Sequence, residues 1–545
     1  MRFQKLFAVV FFVAQISATP IQDCITALIS ALGPDKVIVS NIPAAYNKVY
    51  DEIVPSAMVY PANARDVETV LNTAYGFSIV VAVRSHSGHS YVGQSVVDGS
   101  GIVMNLIGLN KFVVASTPRE DDDTPTSVTV GGGMALLELY SRLSMVVPPL
   151  GINGGSCPSV AVGGLISGGG EGLSSTYGGM TSDRVTAAKV VVFQGGKFEE
   201  IQAGDDLLFA LRGGMGGNYG VVTEWTLNAF SVSQVVVYSM RTRNLVPGTD
   251  DAAVHNMVRT YTTWMRNPSA TVPLPAGNTV WGMIKFLSNG QMQLSGQCKC
   301  DSPHCSDCNN AIGHLEALLG KSLITKTSSE IQDFGEAMWS WGGCTEWGGV
   351  SAYPPGGLAG ISEEKLQAAM QVCYKYDYDN FRGPYKAKSL YLPDETKLDD
   401  SFEAIALRLV TDKICSSGIA SCYLQMSYVG GAMSTPHPNS AFVHRTPGFH
   451  LQMIVNWPEG MDETPFLDWT REARSQMYPL SLQTAYQNYL DIDLDLATWS
   501  KEYFPAAGVF NRLIDIKCKY NPTPIFNVPQ ALSMMIPQQC PPTAV

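Results

Sequence analysis

Two short segments of this 545-residue chain hold the side chains best suited to covalent chemistry. The first reads Arg84-Ser85-His86-Ser87-Gly88-His89-Ser90-Tyr91 and sets imidazoles among small residues. The second, Gly155-Ser156-Cys157-Pro158-Ser159-Val160, does the same for a thiol. Both groups are nucleophiles, and small neighbours let the backbone approach a bulky ligand. A glycine run from Gly163 to Gly170 trails the thiol, and a third follows as Leu211-Arg212-Gly213-Gly214-Met215-Gly216-Gly217-Asn218-Tyr219-Gly220. Amides in such loops can form a nest for a pyrophosphate. None of these runs is the Gly-x-Gly-x-x-Gly of a dinucleotide turn, despite 51 glycines. Near the end, Tyr486-Gln487-Asn488-Tyr489 supplies phenols, and a strand-like run over 449–457 carries His450 and Gln452.

Together these segments resemble the vanillyl-alcohol-oxidase superfamily of flavoproteins, in its branch of berberine-bridge-enzyme-like oxidases. Gly155 to Val160 match that branch's Gly-x-Cys-Pro-x-Val motif, and Leu211 to Thr223 match its Leu-Arg-Gly-Gly-Gly-Gly-Gly-Asn-Phe-Gly-Ile-Val-Thr segment. Tyr486 to Tyr489 match its Tyr-x-Asn-Tyr, and Asn511-Arg512-Leu513, Lys517 and Tyr520-Asn521-Pro522 fall in its closing pattern. The resemblance implies FAD as cofactor, bonded through His89 to the 8α-methyl carbon and through Cys157 to ring carbon C6. The imidazole loop is one residue longer than the common form, so His86 competes with His89, although Ser90-Tyr91 favours His89. Cofactor contacts are expected at Arg84, Ser85, Ser87, Gly88, Ser90, Val160, Gly163, Gly164, Gly168, Val222, Asn218 and Asn488.

The resemblance also assigns catalysis. Hydride leaves a carbon bearing OH or NH for flavin N5, and the heteroatom's proton needs a base. Tyr489 holds the base position. A phenol near pKa 10 needs a positive charge or a hydrogen bond to ionise at neutral pH. His450 stands near where several relatives carry a Glu, and with Gln452 on the same strand face it would position a hydroxylated substrate. Val160 leaves room for O2, which favours an oxidase over a dehydrogenase. The competing readings are a dehydrogenase with another acceptor and a flavin-fold binding protein without catalysis. No Gly-x-Ser-x-Gly elbow supports a hydrolase.

Residues 35–115 read as short strands with a helix over 67–74 capped by Asp66, and the strand 79–83 delivers the imidazole loop. A second α+β unit over 127–230 begins with a strand at 127–130 and a helix at 135–144. From about 235, strand runs at 234–240 and 279–286 alternate with helical stretches at 362–372 and 401–411, which suits an antiparallel sheet with helices on one face. The expected class is α+β: a two-part FAD-binding domain of the p-cresol-methylhydroxylase type, with an inserted substrate domain. The divisions fall at 1–18 (leader), 19–234 (FAD-binding), 235–479 (substrate) and 480–545 (return segment).

Arg2 and Lys5, an apolar run to Ala14 and small residues at Ser17-Ala18 form a secretory leader, too short for a membrane span of about 20 residues. Its loss takes the formal charge from −12 to −14, which argues against nucleic acid as partner. The partners expected are a small-molecule substrate and O2, with no membrane, and the protein reads as a secreted monomer. The acidic run Glu120 to Asp123 is read as a solvated loop, and no metal is expected. In an exported chain most of the twelve Cys should pair, and once Cys157 bonds flavin the remaining eleven leave one over. The cluster Cys298, Cys300, Cys305 and Cys308 is read as a disulfide-stapled loop rather than zinc ligands. No N-glycosylation sequon is present, since Asn267 and Asn521 precede proline. The segment Trp339 to Trp347 is read as core packing, with an aromatic platform for a sugar or polyketide ring as the alternative.

Overall fold

The computed structural model describes residues 19–115, 125–267, 280–300, 303–346, 349–526, 529–532 and 540. The leader, the acidic run 120–123 and Trp347 lie outside them. The fold is α+β, with three sheets that together wall one deep cavity.

The first sheet orders its strands Val37–Ile38, Ala57–Val59, Ile102–Asn105 and Val81–Arg84, the last three mutually parallel. Parallel strands need a crossover, and the helix Ala64–Gly76 supplies it between Ala57–Val59 and Val81–Arg84. Its Val67, Val70, Leu71 and Ala74 are fully buried against this sheet. The cap differs from expectation. Asn63, not Asp66, is the N-cap and accepts from the Asp66 amide, while Asp66 accepts from the Ala62 amide and from Lys36. The two side chains close the helix start reciprocally, so the helix begins three residues earlier than its apolar periodicity suggests. The strand that delivers the imidazole loop starts at Val81 rather than 79.

The second sheet is antiparallel and runs Phe112–Val114, Thr126–Gly131, Val221–Ser231, Val185–Gln194 and Lys197–Gln202, with Leu150–Gly151 beside Val221–Ser231. The third has seven antiparallel strands in the order Ile324–Asp333, Gln234–Thr242, Met292–Lys299, Val280–Leu287, Ser421–Val429, Gly448–Asn456 and Tyr385–Pro393. Helices Asp251–Arg266, Ser306–Leu319, Phe402–Val410 and Thr464–Met477 cover one of its faces. Alternation sorts the side chains: on Gln234–Thr242, Val236, Tyr238 and Met240 join the core under those helices, whereas Val235 and Val237 join the core of the second sheet.

The cysteines obey the arithmetic of the sequence. Cys298–Cys308 and Cys300–Cys305 staple the clustered loop, and Cys344–Cys373, Cys415–Cys422 and Cys518–Cys540 complete five pairs. Cys24 is the odd thiol and is buried, while Cys157 is free.

After the third sheet the chain returns to the first two, and a buried charge cluster fixes the return. Lys388, 2 % exposed, lies 2.5 Å from Asp491 and 2.6 Å from Asp493, with Lys386 3.4 Å from Asp491. Burial works to raise the Asp493 carboxyl, but the hydrogen bond and charge of Lys388, with Arg471 and Lys386, outweigh it and hold it at about 2. Its stabilising effect is therefore present above the ordinary carboxylate value of about 4 and is lost as pH falls through about 2. Removing one partner of a buried pair leaves an uncompensated charge and costs about 3–5 kcal/mol. Asp491→Asn should lower denaturant-derived stability by that order, and Asp493→Asn by less, because Lys388 keeps Asp491. Equal, small losses in both variants would show that the cluster does not fasten the return segment.

Candidate active site

The loops singled out by residue type converge on a single cavity of about 1310 Å³. Ser85, His86, Ser87, Gly88, His89 and Ser90 line it from the first loop. Cys157, Val160, Gly163 and Gly164 line it from the second, and Gly216, Gly217 and Val222 from the third. Opposite them, the seven-stranded sheet presents Lys285, Gln425, Ser427 and His450, and the return segment adds Asn488 and Tyr489.

Four expected contacts do not line the cavity. The Arg84 guanidinium is buried on the carbonyls of Pro43, Ala44 and Ser95, where it braces the loop that carries the imidazoles. Asn218 donates to the Met215 and Gly216 carbonyls and accepts from the Leu532 amide, so it fastens the third glycine loop to the chain end. A Cβ on Gly168 would fall 1.9 Å from Asn488 Oδ1; this glycine makes room for Asn488, which donates to the Leu165 carbonyl and the Tyr486 hydroxyl. Gln452 is buried and donates to the Tyr91 hydroxyl at 3.1 Å; it positions that phenol, which does line the cavity.

At the imidazole end, His89 Nε2 lies 2.9 Å from Ser159 Oγ, and that hydroxyl donates to Asp377 Oδ2 at 2.8 Å. The Tyr46 hydroxyl donates to Asp377 Oδ1 at 2.9 Å, and its ring stacks on His89 with centroids 3.7 Å apart. Burial, with His86 adding to it, depresses His89 to about 3, so its imidazole is neutral at physiological pH. Burial brings His86 to about 4, and its Nδ1 is sealed from solvent without a hydrogen bond. Cys157 opens on the cavity while protein surrounds it. That desolvation pushes the thiol up to about 12, Asp377 adding to the rise and Lys285 opposing it.

At the other end three aromatic groups and a carboxylate meet. His450, 3 % exposed, stacks on Tyr489 with centroids 5.2 Å apart and meets Tyr486 edge-on. Its Nδ1 lies 2.7 Å from Glu171 Oε2, an ion-pair contact outside hydrogen-bond angles. The Tyr486 hydroxyl accepts from the Gly170 and Glu171 amides, which pins the loop that carries this carboxylate. Burial raises Tyr489 well above 10, and the charge of Glu171 adds to it. Sequence reasoning does not reach Glu171; the available signal is one ionisable residue inside the glycine-rich stretch Gly168-Gly169-Gly170-Glu171-Gly172. His444, just before this strand, is occupied by the Tyr503 carbonyl.

The tryptophan segment divides. Trp339 is fully buried and donates to Ser141, whereas Trp341 lines the cavity edge-on to Trp281.

The cavity wall suits a long, flat group. A Cβ on Gly155, Gly164 or Gly217 would meet no protein atom within 4 Å, so each glycine keeps volume open rather than relieving a clash. His89 and Cys157 both open on that volume, and neither is engaged by another cysteine or an acid. These residues fit FAD.

A family model described as FAD binding domain matches residues 55–202, and one described as Berberine and berberine like matches residues 485–533. The chain is 25% identical over 545 residues to Berberine bridge enzyme-like Cyn d 4 of Cynodon dactylon, covering 94% of this chain and 93% of that protein. It is 24% identical over 515 residues to Reticuline oxidase of Eschscholzia californica, covering 88% and 84%. Among solved structures, Chitooligosaccharide oxidase superposes with a TM-score of 0.73 at 19% identity, over 94% of this chain and 99% of that one.

Gly164→Ala tests the wall directly. Alanine is the better helix former by about 1 kcal/mol, and the new methyl touches no protein, so the fold should be unimpaired. Flavin absorbance per chain in the purified variant should fall at least tenfold. Full occupancy with unchanged spectrum would place the ring elsewhere.

Proposed function

Because the chain belongs to the berberine-bridge-enzyme-like FAD-linked oxidoreductases, we propose that it is an exported oxidase of a bulky hydroxylated small molecule. The observation that carries this reading is one cavity lined by His89, Cys157 and Tyr489 together. The 19–234 part with the 480–545 return would hold FAD, which when bound would supply a hydride acceptor at N5 and a route for the electron pair to O2, two protons completing H2O2. The 235–479 insertion supplies the substrate wall. His89 is the tether rather than His86, whose Nδ1 is sealed. Five disulfides support an oxidising compartment, consistent with the leader at 1–18.

Tyr489 takes the substrate hydroxyl proton. Desolvation and Glu171 oppose its ionisation, so it needs a compensating cation. His450 stands face-on beneath the phenol and lies 2.7 Å from Glu171. Gln425, Ser427 and Lys285 on the sheet, with Trp341 at the side, offer polar and flat contacts for a ring bearing hydroxyls. Among the relatives, Chitooligosaccharide oxidase and Reticuline oxidase are named for different substrates, and a chain of hydroxylated rings or a compact polycyclic molecule would suit this wall. Val160, beside Cys157, leaves space for O2 at the ring.

Tyr489→Phe should retain flavin and slow anaerobic flavin reduction by substrate about 10²–10⁴-fold, the usual contribution of a general base. An unchanged rate would move the base to His450. Glu171→Gln should shift the pH profile of reduction downward, because the charge that adds to the rise of Tyr489 is gone. An unmoved profile would separate Glu171 from the base.

The oxidase assignment has its own test. Val160→Leu should slow reoxidation by O2 while leaving reduction by substrate nearly intact. Equal reoxidation rates would remove Val160 from the path of O2.

A further inference from the structure

The chain of hydrogen bonds behind His89 determines which of its nitrogens can react. Asp377 is 3 % exposed, carries no cation partner in an ion pair among the described residues, and accepts two hydroxyl hydrogens, one on each oxygen. It comes from the helix Glu363–Phe381, far in sequence from the loops it faces. A carboxylate buried without a cation is a costly arrangement to keep for packing alone. Its geometry has a consequence. Since the Ser159 hydrogen points to Asp377, Ser159 Oγ can only accept from His89, so the His89 proton sits on Nε2. The lone pair is then on Nδ1. Tyr46 fixes the ring plane by stacking at 3.7 Å, and its own hydroxyl is held by the same carboxylate.

We propose that Asp377, acting through Ser159, is the positioning residue that sets His89 in the Nδ1-nucleophilic tautomer and receives its Nε2 proton as the flavin bond forms. The inference rests on the reading of His89 as a flavin tether. The bond formed joins Nδ1 to the 8α-methyl carbon. One C–H bond of that methyl and the Nε2–H bond break, two protons leave, and the electron pair passes through the ring to dissolved O2, giving H2O2. Alkylation at Nδ1 makes the imidazole cationic, and the Ser159–Asp377 pair both stabilises that charge and offers the exit for the proton. Ser159 needs no change of partner for this, and Asp377 stands one hydroxyl away. In Asp377→Asn the amide can donate to Ser159 and reverse the chain, which moves the imidazole proton to Nδ1 and removes its lone pair.

The experiment uses the full chain in a Cys157→Ala background, where His89 is the sole tether. Each variant is purified with its FAD, and covalent flavin is read by fluorescence of the denatured band and by the mass of the His89 peptide. The parent should carry close to one covalent flavin per chain through Nδ1, assigned by NMR of the flavin peptide. Asp377→Asn and Ser159→Ala should hold less than a tenth of that, while their total flavin, covalent plus acid-released, stays at the parent level; Asp377→Glu should restore most of it. Ser159→Ala deletes a single hydroxyl, so it decides the matter if Asp377→Asn fails to fold. A parent without flavin on His89 overturns the tether reading and the relay with it. A parent with that flavin, matched by both variants or linked through Nε2, overturns the relay alone.

Discussion

The fold keeps a large volume that its own side chains do not fill. Gly155 and Gly164 flank the thiol and Gly217 stands on the third glycine run, and each leaves open space where a Cβ would project. Behind the cavity the second and third glycine segments share one core, through Val162, Ile166, Leu211 and Met215. Much of the buried polar chemistry in the chain fastens the segments around this volume. Arg84 and Asn218 are spent on loop carbonyls, and the Lys388 cluster ties the return segment to the seven-stranded sheet.

The two ends of the cavity use the same device for different tasks. At one, a carboxylate acts on an imidazole through a hydroxyl and orients it, while burial keeps it neutral. At the other, a carboxylate lies directly against an imidazole, with a phenol stacked above it. A contact relayed by serine selects a tautomer. The polar pairs also tie separate elements together: Asp377 joins the helix Glu363–Phe381 to the imidazole loop, and His450 joins the strand Gly448–Asn456 to the loop that carries Glu171.

Features set by neighbouring residues are legible in the sequence, and those that depend on distant partners are not. The nucleophiles, the glycine runs, the alternation on 449–457 and the odd cysteine follow from neighbouring residues, and each reappears in the structure. The helix cap moved from Asp66 to Asn63 because two capping side chains share one helix start. Glu171 and Asp377 carry no local pattern that marks them. Their meaning arises only when Gly448–Asn456 and Glu363–Phe381 fold against the loops. Conversely, Arg84 and Asn218 sit inside motifs expected to contact a cofactor, yet the backbone claims their side chains. Motif membership locates a loop, and hydrogen-bond accounting decides which of its atoms face the ligand.

The central claim is that one FAD spans this cavity and is bonded at both nucleophiles. A tryptic digest of the denatured wild-type protein, followed by mass spectrometry of its yellow fraction, tests it most directly. The account predicts one flavin joining the peptide that contains His89 to the peptide that contains Cys157. Release of all flavin on denaturation, or a link through His86, would contradict it.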